Sequence, residues 1–176
     1  MVQIENLPLV LTGLGLTASV LYYTMVLRNA NKTRELQLKA QELAAETRQT
    51  QLFMKIYERF ESKEFMQSAF SLRALEWSTP EDFMEKFGPE TNLEVWSLIQ
   101  SVTAYFEGIG LLVYRGLIDI SLIDDLMSDG VIVLWEKIGD VTKYRRTLLK
   151  NPHIWEWTEY LYNEMIKRNP ELSTNR

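Results

Sequence analysis

The sequence contains no cysteine and only one histidine, His153. The lack of cysteine excludes disulfide bonds, thiolate metal sites and cysteine nucleophiles, although it does not identify a redox compartment. A single histidine cannot form a multi-histidine site, which also excludes a di-iron bundle with two Glu-x-x-His motifs. Because no catalytic constellation is recognisable, we predict a protein that is not an enzyme and that holds no metal and no cofactor.

Charge is absent from the 21 residues between Leu7 and Leu27. A helix of this length spans about 30 Å, the thickness of the hydrocarbon core of a bilayer. The residues before it carry only Glu5 and no basic group, unlike a cleavable export signal. We therefore predict a transmembrane helix over residues 7–27. The alternative is a buried helix of a soluble core, although such a helix should show a polar face.

Basic residues follow this segment, whereas none precedes it. The positive-inside rule then predicts a single-pass protein of the cell membrane, with residues 1–6 outside and the C-terminal part in the cytoplasm. The residues expected at the membrane interface are Tyr22, Tyr23, Arg28, Lys32 and Arg34. Thr12, Gly15 and Ser19 form a face of small residues that could pack against another transmembrane helix.

Proline and glycine are missing from residues 28–60, where strong helix formers dominate. This composition predicts that the helix continues beyond the membrane as a stem over residues 28–52. Leu36, Ala40 and Leu43 follow the heptad spacing of a weak coiled-coil seam. A short oligomeric coiled coil and a solvated single helix are both consistent with this pattern.

The remaining chain indicates an all-α domain over residues 53–169, followed by a tail over 170–176. Cap residues, proline and glycine divide its apolar periodicity into five or six helices. After an apolar stripe that begins at Phe53 and resumes at Phe65, the expected helices are 80–87, 92–114, 119–127, 131–150 and 152–169. Thr79 with Pro80 is the expected start of one helix, and a capping box of Thr91 and Glu94 that of the next.

Charge in this domain is mainly negative, with 14 basic and 20 acidic residues from Phe53 onward. An acidic domain is unsuited to a phosphate backbone, so nucleic acid is not an expected partner. Lys143, Arg145, Arg146 and Lys150 form the one basic cluster, late in a predicted helix. They could complement the helix dipole or contact anionic membrane lipid.

Gly108 and Gly110 lie inside an otherwise apolar helical pattern. Such glycines let a second helix pack closely, or they line a small cavity, and with Trp135 they mark a candidate ligand pocket. All five tryptophans fall in the domain. They indicate an aromatic core, or a binding surface if a subset is exposed.

Two stretches, YFEGIGLLVYRGLIDISLIDDLMSDGVIVLWEKI and ETRQTQLFMKIYERF, resemble a bacterial and archaeal family of single-pass membrane proteins known only as a domain of unknown function. The resemblance implies an N-terminal anchor, a helical stem and an all-helical cytoplasmic domain. It implies no catalytic residues.

These patterns favour a membrane-anchored, non-catalytic interaction module that contacts membrane lipid and binds copies of itself or other membrane-protein subunits. The alternative is a membrane-tethered sensor of a small ligand or lipid. An enzyme is a third hypothesis, and it would need a pocket that joins Tyr105, Glu107 and His153.

Overall fold

The computed structural model describes residues 7–172, which form helices joined by short loops and contain no β-strand. The helices are α1 (Leu7–Phe60), α2 (Lys63–Ala74), α3 (Pro80–Phe87), α4 (Leu93–Tyr114), α5 (Ile120–Leu149), α6 (Glu156–Arg168) and a 3-10 helix at Pro170–Leu172. The predicted all-α fold is therefore confirmed for this part of the chain. The expected outer segment 1–6 and the end of the expected tail, residues 173–176, lie outside the described residues.

The chain divides into two compact units, Met1–Arg48 and Gln49–Arg176. In the first unit, α1 passes Arg28 without a break, which confirms that the apolar helix continues into the stem. Its apolar window is long and hydrophobic enough to cross a membrane, and none of that window is buried. The hydroxyls of Thr12, Thr17 and Ser19 donate to carbonyls one turn earlier, at 2.8 to 2.9 Å. These three hydroxyl groups are thereby satisfied within the helix itself.

The second unit is built around α4, which contacts α2, α3, α5 and α6. The most deeply buried large side chains come from α3 to α6 and the α4–α5 turn: Phe83, Phe106, Ile109, Ile118, Ile123, Met127, Ile132, Leu161 and Met165. The last turns of α1 add Phe53 to the same core.

Local cap chemistry explains the helix starts on either side of Gly88. The Thr79 hydroxyl accepts a hydrogen bond from the Asp82 N–H at 3.2 Å and Pro80 begins α3, as predicted. The predicted cap of α4 is wrong by one residue, because the Asn92 side chain accepts from the Val95 N–H at 3.1 Å.

The prediction of two helices over 119–127 and 131–150 is wrong, because α5 is continuous from Ile120 to Leu149. Gly130 lies inside this helix rather than ending it. A Cβ atom at Gly130 would lie 3.2 Å from the Phe60 ring and 3.4 Å from the Phe106 ring. The glycine therefore admits two aromatic rings against α5.

The last helix begins at Glu156 and not at residue 152, because residues 152–155 form a turn. Trp155 precedes the helix with φ of 53° and makes no side-chain cap. The Glu107 carboxylate from α4 fills this role by accepting from the Thr158 N–H at 2.8 Å. A residue 51 positions away in the chain thus caps α6.

Candidate binding groove

An apolar groove of about 320 Å³ lies within the second unit, between α2 and α5. One wall is formed by side chains of α2 at i, i+3, i+4 and i+7: Met66, Ala69, Phe70 and Arg73. The other wall is a stripe along α5: Asp125, Leu126, Asp129, Val133 and Lys137. The sequence separates these walls by about fifty residues, but α4 holds both helices around one core.

The floor of the groove is aromatic. Phe60 from the end of α1, Phe65 from α2 and Phe106 from α4 line it together. Their rings contact one another edge to face or tilted, with centroids 5.8 to 6.2 Å apart. Because Gly130 has no side chain, the Phe60 ring lies directly against the α5 backbone. The floor is therefore made of packed aromatic rings, and the walls formed by α2 and α5 extend from it to the surface.

Two large apolar side chains stand exposed on the rim. Phe70 on α2 is 59% exposed and Leu126 on α5 is 48% exposed. Covering such side chains lowers the free energy, because burying a Phe or Leu side chain is worth about 1.5–3 kcal/mol. Exposed apolar groups beside an apolar cavity with charged edges are typical of a surface that binds a partner.

Comparison with known families bears on the same part of the chain. The model of a family described as Domain of unknown function (DUF4760) matches residues 9–165. The chain belongs to the DUF4760 family. The matched range begins in the apolar part of α1 and ends in α6, so one DUF4760 unit includes the apolar helix, the stem and the helical domain. No curated protein and no solved structure matches the chain.

The three residues of the predicted pocket in this DUF4760 chain do not share one cavity. Gly110 lies where α4 meets α6, and a side chain there would overlap the Trp157 carbonyl group. Gly108, in contrast, faces open space. Trp135 packs against Tyr162 at 6.2 Å between ring centroids. Only the packing role is thus supported, and it is supported for Gly110.

The predicted basic cluster separates into partly buried and exposed members. Arg145 lies over the Trp96 ring at 4.6 Å, and its burial lowers the pKa of its guanidinium. Arg146 donates to the Ile154 carbonyl at 2.8 Å and to Glu159 at 2.5 Å. Lys143 and Lys150 are exposed. Two of the four cations are therefore held by contacts within the domain, and contact of this cluster with lipid stays a prediction.

The three residues of the enzyme hypothesis each have a separate partner. Tyr105 donates to the Ile56 carbonyl at 2.6 Å, and its burial raises the pKa of its hydroxyl. Glu107 caps α6, and the His153 ring contacts Glu156 at 2.6 Å. Among residues 7–172, no hydrogen bond joins any two of these three, and no cluster of three or more His, Asp or Glu residues could hold a metal ion.

The tryptophans do not form an exposed binding surface. Trp135 is buried, and Trp77, Trp96, Trp155 and Trp157 are partly buried. Trp77 packs edge to face on Phe83 at 4.8 Å between centroids. Trp77, Trp96 and Trp135 agree with the aromatic-core interpretation, and the exposed apolar groups of the domain are instead residues such as Phe70 and Leu126.

The residues predicted for the membrane interface, the small-residue face and the coiled-coil seam all lie on α1 and are exposed in the first unit. Tyr22 and Tyr23 contact each other edge to face at 5.8 Å. Leu36 and Leu43 are 59% and 64% exposed, and Ala40 is exposed between them. Their roles in membrane contact and in helix pairing stay predictions.

Proposed function

We propose that the protein is a non-catalytic, single-pass membrane protein whose helical domain binds another protein through the groove between α2 and α5. In this proposal residues 7–27 of α1 cross the cell membrane and the domain lies in the cytoplasm. The apolar, uncharged character of residues 7–27 supports the span, and the basic residues after Leu27 support the orientation.

The observation that carries the binding role is the exposed pair Phe70 and Leu126 beside an aromatic-floored groove. Binding energy in protein interfaces concentrates in a few large side chains that enter apolar pockets, surrounded by a polar rim. Arg73, Asp125, Asp129 and Lys137 supply charges around this groove. A partner segment with apolar side chains at helical spacing fits such a surface.

The test uses a photo-crosslinking amino acid at position 70 of the full chain in its own membranes. We expect irradiation to join the chain to a discrete protein partner, because Phe70 would lie inside the interface. The matched control is position 93, since Leu93 is 66% exposed and does not line the groove. Equal labelling from both positions, or none from position 70, would contradict the proposal.

The orientation is tested by single-cysteine labelling, which the lack of native cysteine makes unambiguous. We expect a membrane-impermeant maleimide to label Gln3→Cys in intact cells. Ser97→Cys, at an exposed position of α4, should react only after the membrane is permeabilised. The opposite pattern would reverse the topology. If washing the membranes with carbonate removes the chain, so that neither variant is labelled there, the chain does not span the membrane.

A second candidate function is a sensor of a small apolar ligand such as an acyl chain. The groove volume of about 320 Å³ favours it, because ligand sites usually enclose about 300–1,000 Å³. Mass spectrometry of the protein purified in mild detergent tests this candidate. A stoichiometric lipid that is lost in an Ala69→Leu variant, which narrows the groove from its α2 wall, would support it.

A further inference from the structure

The groove has charges of opposite sign at its two ends. Asp125 and Asp129 line it at one end of the α5 wall, and Lys137 lines it further along the same helix. Twelve residues of helix separate Asp125 from Lys137, which places them about 18 Å apart along the axis. Arg73, in the last turn of α2, also lines the groove.

The contacts that α5 makes show which end of the groove carries the acidic side chains and which end carries the basic ones. Gly130 faces Phe60, which immediately precedes α2, so the two carboxylates lie near the beginning of α2. The Lys137 amino group lies 4.4 Å above the Trp77 ring, and Trp77 follows the end of α2. Arg73 and Lys137 are therefore together at the opposite, cationic end.

We propose that the occupant of the groove is a second copy of this chain, bound groove to groove about a two-fold axis. This inference rests on the proposed function and names its partner. A two-fold axis across the middle of the groove brings the cationic end of each copy against the acidic end of the other, so both ends are matched at once. Phe70 and Leu126 of each copy are then covered by the facing groove.

The charge pattern favours a copy over the other occupants. An acyl ligand with an anionic head would pair with Arg73 and Lys137 but would offer no positive charge to Asp125. An unrelated protein would need the same two charges in the reverse order, whereas a second copy carries them by symmetry. Opposite charges at opposite ends of one surface are self-complementary.

The test exchanges charges in the full chain, purified in mild detergent, with the dimer followed by native mass spectrometry and analytical ultracentrifugation. Arg73 and Asp125 are chosen because both are exposed, so substitution does not disturb the core. Arg73→Glu and Asp125→Arg should each weaken the dimer about tenfold, because every dimer then contains two repulsive pairs. Thermal unfolding should show that both variants stay folded.

Mixing the two variants gives the decisive result. A mixed dimer pairs the new carboxylate of the R73E chain with the new guanidinium of the D125R chain. It leaves the native Asp125 and Arg73 matched at the other end, so affinity should return to the wild-type level. The doubly exchanged chain R73E/D125R should also dimerise. Dimers that ignore the single changes, or single variants that do not recover on mixing, would overturn this interface.

The failure of this inference is distinguishable from the failure of the proposed function. A wild-type chain that is monomeric but is crosslinked from position 70 to a different protein would overturn the self-association and leave the binding role intact. A wild-type chain that is monomeric and yields no crosslink from position 70 would overturn both. A monomer that carries lipid in the groove would support the sensor function instead.

Discussion

The carboxylate of Glu107 accepts hydrogen bonds from both the backbone N–H and the hydroxyl of Thr158, each at 2.8 Å. The same carboxylate accepts a longer bond from the Trp157 N–H at 3.3 Å. These groups form the first turn of α6, where backbone N–H groups have no partner within the helix. Glu107 therefore joins the central helix to the last helix and sets the position of α6 in the core.

Replacing Glu107 by Ala should lower the free energy of unfolding by about 0.5–2 kcal/mol, the range found when helix caps are removed. Glu107→Gln keeps one acceptor and should cost less. Tryptophan fluorescence during denaturant unfolding of the full chain in detergent measures both. Glu90→Ala, at an exposed loop position, is the control and should change little. If Glu90→Ala lowered the free energy of unfolding as much as Glu107→Ala, the capping role of Glu107 would be contradicted.

Gly110 and Gly108 provide a matched pair on one helix. Gly110→Ala should destabilise the domain by about 1–3 kcal/mol, because the new methyl group would overlap the Trp157 carbonyl of α6. Gly108→Ala faces open space and should stabilise the domain by up to about 1 kcal/mol through helix propensity. Thermal unfolding compares the two variants. Similar effects at both positions would contradict the close approach of α4 and α6.

Arg146 and Lys143 belong to one predicted basic cluster but should differ in their contribution to stability. Arg146→Lys should cost about 1–3 kcal/mol, because lysine cannot reach Glu159 and the Ile154 carbonyl with the same fork of donors. Lys143→Ala should cost less than about 0.5 kcal/mol, since its contact with Asp140 is exposed. Denaturant unfolding measures both costs. A larger loss of stability in Lys143→Ala than in Arg146→Lys would contradict this account.

Acid stability should depend on Asp82. Lys86, and then the Ser78 N–H, hold the pKa of Asp82 below its usual value, with Lys86 Nζ 2.8 Å from Oδ2. Because the pKa is lower in the folded state, the stabilisation is present above the unfolded pKa and is lost as pH falls through the folded pKa. Stability measured from about pH 5 downward should therefore fall less steeply in Asp82→Asn. Glu81→Gln, at the exposed neighbouring position, should keep the wild-type slope.

Local signals in the sequence predict much of this fold. The cap at Thr79, the proline after it and the apolar face of α4 act within one or two turns, so their positions are readable without the tertiary structure. Gly116, with φ of 67°, follows the end of α4 in the left-handed conformation that glycine commonly adopts after a helix. The uncharged stretch of α1 is also a local property, and the structure confirms its helix.

The features that the sequence does not predict depend on residues far apart in the chain. Gly130 resembles a helix break until Phe60 and Phe106 are known to pack against it. The groove exists because α4 supports α2 and α5 together, which no local pattern reveals. Phe70 lies off the helical stripe of the buried Phe65 and Leu72, so periodicity assigns it to the surface but cannot show that it borders a groove.

The central claim is that the groove binds a protein, and one comparison tests it most directly. The full chain and its Phe70→Glu variant would be extracted from their own membranes in mild detergent and weighed by native mass spectrometry. We predict that the wild-type chain carries a second polypeptide in fixed ratio and that the equally folded Phe70→Glu chain is single. A wild-type chain found alone, or a variant that retains its partner, would contradict the account.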